Sequence, residues 1–492
     1  MKNRYYLTTI LTGLLLVSCS KSELQNSPEN LPAPFKKLSG GGIGVNSAGD
    51  GKNDLLGYGY DVTGEFANSS AGKFAVIDIE RLKAEHPTRV EWDLSSKKYG
   101  EVIAGENAIS YLSALTDKLG AGLSIKDPTA PANADPKAAA IPLFKANIDN
   151  FFDNTSSHSS KYIYSGYALK IQQKRVKLNA DKALLQQYLT PSFIADVQNG
   201  SPQSIVSAYG THILKDIILG AKLDIAYRAE TNKSDRKEAA TKGMDINVLG
   251  IFSINTKNTT TTHETTDNTN QRLSFKAIGG EPSASLFGNL AIGSTLPVIS
   301  TAQWENSSSL LNAEMIDIAQ DGLIPIWDLI SDPIKSELVK TYVIQYLLSN
   351  KISLVPEPVY SFYHPVAKDH AYTINKNDYP YLQNGWQDGG ISFYAYSSQV
   401  PGTLPVYSFY HPVAKGHAYT INKYDYPYLQ NGWQEGGIAF YAYASQVSGA
   451  QPVYYYYHPV AQDFVYTINK NDYPYLQNGW IYGETVFYVP QL

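Results

Sequence analysis

SAYGTHILKDIILGAKL occupies residues 207–223. An aromatic ring, a glycine, a hydroxyl and an imidazole (Tyr209, Gly210, Thr211 and His212) precede an apolar run that reads as a strand from about residue 214 to 231. A histidine in such a place invites a metal or a catalytic reading. No second histidine lies near it in sequence, which argues against a zinc pair. HETTD at residues 263–267 has only one of the two histidines of a zincin helix, and no G-x-S-x-G elbow occurs. The cluster therefore reads as architecture, with Tyr209 and His212 hydrogen-bonding where a helix meets a sheet. The approach to it fits: TPSFIADVQNG, residues 190–200, reads as a short helix with Thr190 as N-cap and Gly200 as stop.

The chain of 492 residues, 43% hydrophobic and 17% charged, is long enough for about two to four packed domains. A net charge of −5 without a long basic run argues against a nucleic-acid partner. Lys2 and Arg4 followed by YYLTTILTGLLLV read as a signal peptide over residues 1–18. LVSC then resembles a bacterial lipobox, which makes Cys19 the lipidated first residue of an exported protein held at the outer membrane, on its surface, or released. Cys19 is the only cysteine, so no disulfide supports the fold. Residues 19–39 read as a polar tether. GGGIGVNSAGDGKND at 40–54 has neither the glycine and hydroxyl of a phosphate loop nor the acid spacing of a calcium loop. It reads as a loop entering a first strand, LLGYGYDVT.

Residues 40–350 mix helical and strand patterns and read as one α+β domain. Ile109, Leu112, Leu115 and Leu119 have helical spacing, as do Phe144, Ile148, Phe151 and Phe152. Farther on, Met244, Ile246, Val248, Phe252 and Ile254 alternate with Asp245, Asn247, Ser253 and Asn255, although Leu249, Gly250 and Ile251 blur the pattern. A polar stretch with eight threonines in fourteen residues follows, and Leu273 and Phe275 resume the alternation.

YGTH, one residue, six residues and then the small pair Gly220–Ala221 resembles the signature of the membrane attack complex/perforin superfamily. GYGYDVTG at 57–64, AIGGEPS at 277–283 with Gly279 and Gly280, and LIPIWDLI at 323–330 resemble its other landmarks, in family order. Ile213 and Ala221 depart from the signature, which has an aromatic and a second glycine there. The resemblance implies a bent four-stranded antiparallel sheet flanked by two helical clusters. In pore-forming members these clusters unfurl into amphipathic hairpins that join a barrel around a ring of subunits. A spanning hairpin must satisfy its backbone within a closed barrel, with about 9–11 residues per strand. The segments expected to do so are 103–160 and 232–274, with Met244, Ile246, Val248, Phe252, Ile254, Leu273 and Phe275 facing lipid.

From residue 351 to 492 the chain repeats. Near-copies of PVYSFYHPVAKDHAYTINKNDYPYLQNGWQDGGISFYAY begin at Pro358, Pro405 and Pro452, 47 residues apart, and 24 of the 38 tyrosines lie here. Each copy reads as four short strands, and three such units on a threefold axis make an all-β trefoil-like domain. The copies resemble a bacterial extracellular repeat family of uncharacterised role. Aromatic faces with histidines suit a glycan. The candidates are His364, His411 and His458, His370 and His417, and Trp386, Trp433 and Trp480, the tryptophans serving equally well as core. In the third copy Phe464 replaces the second histidine.

The expected function is pore formation with no enzyme activity, cofactor or metal. The repeats would bind a surface glycan or outer-membrane protein, and the other domain would assemble into a homo-oligomer on the target-cell membrane. A lipobox joined to this signature resembles the Bacteroidales secreted antimicrobial proteins. The alternative is a non-lytic outer-membrane lipoprotein used for adhesion or glycan capture.

Overall fold

Four strands of a bent antiparallel sheet carry the first domain: β1 (Lys97–Gly105), β2 (Tyr162–Leu178), β3 (Asp216–Glu230) and β4 (Thr269–Ile278), neighbours in that order. β2 and β3, of 17 and 15 residues, are covered on both faces, which is why β3 reads as a nearly continuous apolar run. Past the middle of the sheet their neighbours change. β2 passes from β1 to Val90–Asp93, and β3 passes from β4 to Glu314–Ile318. Register shifts fall at this changeover, between Gln172 and Lys174 and between Met315 and Asp317. An unpaired residue at such a bulge lets a strand turn without losing its ladder on either side. The computed structural model describes residues 52–492 except 121–122, 124, 129–138, 153–157, 253, 255–267, 294–296, 377–383, 425–430 and 473–476. The signal peptide, Cys19, the tether and nearly all of the threonine-rich tip lie outside these residues.

The strand expected over 214–231 is two strands. His212–Leu214 belongs to a second, small sheet with Tyr58–Tyr60, Gly72–Ala75 and Leu323–Pro325, and β3 begins at Asp216. The break is a change of partner: the Lys215 N–H donates to the Gly322 carbonyl, 2.7 Å away. The small sheet and the helices Pro202–Tyr209 and Pro333–Asn350 enclose the main apolar core, including Tyr60, Ile213, Leu214 and Val343.

The connections at the other end of the sheet are helical. α1 (Ala108–Asp117) and α2 (Ala146–Asp149) lie between β1 and β2, and α3 (Arg236–Phe252) lies between β3 and β4. α1 starts at a capping box: the Asn107 side chain accepts from the Ser110 N–H and the Ser110 hydroxyl accepts from the Asn107 N–H.

Residues 357–490 form one three-stranded unit per copy, antiparallel with its first strand in the centre, and the units of the second and third copies join into one six-stranded sheet where Tyr443 pairs with Tyr488. The first comprises Glu357–His364, Asp369–Thr373 and Gln387–Ala395. Three strands per copy are described where four were expected. The DYPYLQ segments, read as turns, fall almost wholly outside the described residues. A cycle of tyrosines joins the copies. The N–H of Tyr372 donates to the Tyr419 hydroxyl (2.7 Å), that of Tyr419 to Tyr466 (2.8 Å), and that of Tyr466 to Tyr372 (2.9 Å). Their rings meet edge to face at 5.4–5.6 Å. Each buried hydroxyl has its partner one copy away, so the cycle closes at three copies.

Tyr419→Phe is expected to cost about 1–3 kcal/mol, because it strands the buried Tyr372 N–H and also removes the bond to the Tyr372 carbonyl. Urea unfolding would read this, with the exposed Tyr424→Phe as a control that leaves stability unchanged. Equal stability of the two variants would show that the cycle contributes nothing.

Candidate functional site

Helix Pro202–Tyr209 ends at Gly210, whose φ of 73° turns the chain into the small sheet. The Tyr209 hydroxyl donates to Asp196 at 2.7 Å, and its ring meets Phe193 edge-on at 4.9 Å. Thr211 is buried, and its hydroxyl lies 3.2 Å from both the Tyr60 carbonyl and the Val62 N–H. His212 sits opposite Pro325 in the ladder, its Nδ1 3.0 Å from Thr211 Oγ1 and its ring edge-on to Trp327 at 6.0 Å. Thus YGTH, the strand at 58–60 and the segment at 323–330 form one locus. Burial pushes the imidazole of His212 down to about 3 and keeps it neutral. Its Nε2 has no hydrogen-bond partner among the described residues. Among the described residues no group of three or more His, Cys, Asp or Glu is placed to hold a metal ion.

The bend is the second locus. A Cβ on Gly220 would lie 1.9 Å from the Ile171 carbonyl, and one on Gly279, at φ 68°, would lie 2.2 Å from the Gly220 carbonyl. Backbones approach here as only glycine permits. Gly280 (φ 76°) follows against Ser307 and Trp304, and the fully buried Trp304 donates from Nε1 to the Gly279 carbonyl at 3.1 Å. Ala221 is fully buried in the same core as Trp304 and Leu223, so its methyl adds apolar contact beside the glycines. Sequence reasoning missed Trp304, and its only signal was a lone large aromatic in a polar stretch.

The third locus is α3. Met244, Val248 and Phe252 are buried against β-sheet residues that include Leu273 and Phe275, with the rings of Phe252 and Phe275 5.2 Å apart. Ile246 and Ile254 are partly buried. Asp245 and Asn247 are buried as well, 2% and 3% exposed, while Lys237, Glu238 and Gly250 of the same helix are exposed. As a strand, the same residues would put Met244, Ile246 and Val248 on one face and Asp245 and Asn247 on the other. Among the described residues no helix is long and apolar enough to cross a membrane.

In the repeats, both ring nitrogens of three candidate histidines are engaged within the protein. Nδ1 of His364, His411 and His458 accepts from the N–H of Ala367, Ala414 and Ala461, and Nε2 donates to the carbonyls of Asn384, Asn431 and Asn478. These three rings, each partly exposed, bond within their own copies and hold the hairpins there. His370 and His417 reach across copies, with Nδ1 2.7 Å from Asp463 and 2.6 Å from Asp369. Trp386 packs edge-on between His364 and His417, Trp433 between His411 and Phe464, and Trp480 between His458 and His370. A cavity of about 620 Å³ opens instead between the repeats and the start of the α3 segment. Phe409, Tyr410, Tyr419 and Tyr441 line one side, and Lys233 and Arg236 the other.

The neutral His212 has a pH signature. The unfolded chain takes up a proton below about pH 6.5 that the folded chain refuses until about pH 3. This contribution to stability is therefore complete above pH 6.5 and falls as pH drops towards 3, by at most about 1.4 kcal/mol per pH unit. His212→Gln is expected to flatten the stability profile between pH 6.5 and 4 in denaturant titrations. Parallel profiles would show that His212 is protonated in the folded protein.

The MAC/Perforin domain family matches residues 46–354, and a domain of unknown function, DUF5648, matches 335–443 and 358–490. No curated protein matches the chain. Among solved structures, one titled as a cell invasion protein with a MAC/Perforin domain, from Bacteroides thetaiotaomicron, is 16% identical. The match covers 65% of this chain and 66% of that one, just under two thirds of its length, with a TM-score of 0.46. GNIP1Aa from Chromobacterium piscinae is 15% identical over 89% of this chain and 82% of its own, with a TM-score of 0.47. Because the family match takes in well over half of its residues, this chain belongs to the MAC/Perforin family.

Proposed function

We propose that this protein is an exported bacterial pore former that acts on competing bacteria. The MAC/Perforin domain is a pore-forming and non-enzymatic fold, and its family works at membranes, as oligomers, outside the cell that makes them. Cys19 would be lipidated and hold the protein at the outer membrane before release. The antimicrobial role is supported by the lipobox joined to the YGTH signature. The threefold repeat module would recognise a surface glycan or outer-membrane protein through the aromatic cavity beside residues 231–236.

The observation that carries the reading is α3. Buried Asp245 and Asn247 make it a poor core helix, and period-2 sorting makes the same segment an amphipathic strand entering β4. Residues 103–160, between β1 and β2, would supply the other hairpin.

A lock on α3 tests this. The Ile299 N–H donates to the Ile251 carbonyl at 2.7 Å, which places the pair close to the roughly 4–7 Å Cα span that a disulfide bridges. Chain 20–492 with Ile251→Cys and Ile299→Cys is applied to a panel of bacteria and scored by uptake of an impermeant dye. Uptake is expected in some strains, lost on oxidation and restored by reduction. Surface binding without uptake in either redox state would favour the non-lytic adhesin.

A further inference from the structure

The roots of both helical clusters meet the repeat module at one buried junction. Asn107, 1% exposed, donates from its side chain to the Ser398 hydroxyl (3.1 Å) and the Gln399 carbonyl (2.8 Å), while its Oδ1 caps α1. The fully buried Ser398 donates to the Ser160 carbonyl at 3.0 Å. The Ser397 N–H donates to the Ser160 hydroxyl at 3.1 Å. Arg236, the first residue of α3, donates to the carbonyls of Glu106 (3.1 Å), Ser160 (3.1 Å) and Lys161 (2.9 Å). Below the polar contacts, Ala108, Tyr111, Leu112 and Phe151 of the first cluster share a core with Ile352, Leu354 and Val400 of the module and its linker.

We infer that the repeat module is a latch that keeps both clusters helical. The inference rests on the pore-forming reading. If the sheet lengthens, β1 continues from Gly105 into 106–107, β2 extends backwards from Tyr162 into 161–160, and β3 continues past Glu230. The carbonyls of Glu106, Ser160 and Lys161 then lie in strands of a barrel whose ladder bonds must all be made between neighbours. Those are the three carbonyls that Arg236 occupies in this state. Arg236 and Ser398 donate where neighbouring strands would have to, so opening the clusters requires Arg236 and residues 397–399 to move aside. The aromatic cavity borders Arg236, so a ligand bound there acts on the latch directly.

The test is hydrogen exchange of the full-length chain in solution, without membranes. Asn107→Ser keeps an N-cap acceptor but is too short to reach the module, and Ser398→Ala removes its partner. The double variant is expected to exchange about tenfold faster or more in 108–117 and 236–252, with 162–178 unchanged. Parent-like exchange in both helices would overturn the latch. Should that variant not fold, Asn107→Cys with Ser398→Cys in a Cys19→Ser chain takes its place. Oxidation must slow exchange in 108–117 relative to the reduced form, and equal rates overturn the proposal. Dye uptake by target bacteria is scored in parallel. Faster exchange without uptake on any strain leaves the latch standing and removes the pore-forming reading instead.

Discussion

Two antiparallel strands that run unbroken through a bend, β2 and β3, are the constraint on which the rest of the first domain depends. Each keeps its pairing with the other along its length while its outer neighbour is exchanged. The bend divides the domain. On one side lie the small sheet, the YGTH locus and a large apolar core. On the other lie the helical clusters, joined to the ends of the four strands. The bend itself is made where the Gly220 and Gly279 backbones touch, with Trp304 bonded over them.

The clusters are held by more than apolar contact. Lys170, 1% exposed on β2, lies 2.6 Å from Asp317 and 3.0 Å from Glu101, and Lys118, just past α1, lies 2.6 Å from Glu101. Breaking a desolvated pair by removing one member is strongly destabilising, but separating its members into water returns their solvation. Lys118, at the end of α1, is the member of this network that belongs to a cluster, so its bond to Glu101 is the one that opening breaks.

The repeat module shows how an interface changes as a unit. His370 pairs with Asp463 and His417 with Asp369 across copies. At the third interface the histidine position is Phe464 and the carboxylate position is Gly416. A Cβ on Gly416 would lie 2.5 Å from the Gln462 carbonyl, and Trp433 packs against Phe464. Polar and apolar versions of one contact thus coexist in one module. A lone imidazole or a lone carboxylate would have been left buried without its partner.

Local sequence carried much of this. The 47-residue period, the helical spacing at 109–119, the caps at Thr190 and Gly200, and the family landmarks are short-range patterns, and they placed the α+β domain before the all-β repeats. The role of an individual side chain was not legible in the same way. His364, His411 and His458 read as ligand-facing because a polar ring in an aromatic stretch needs a partner. The carbonyls that satisfy them lie 20 residues along the chain in a turn that only the folded copy closes. Trp304, Arg236 and Ser398 carry no sequence pattern at all, since their partners are 25 to 291 positions distant. Periodicity reports which face of an element is apolar, and by itself it determined the elements and their order. Which buried donor meets which acceptor depends on how those elements are brought together, and only the tertiary structure decided it.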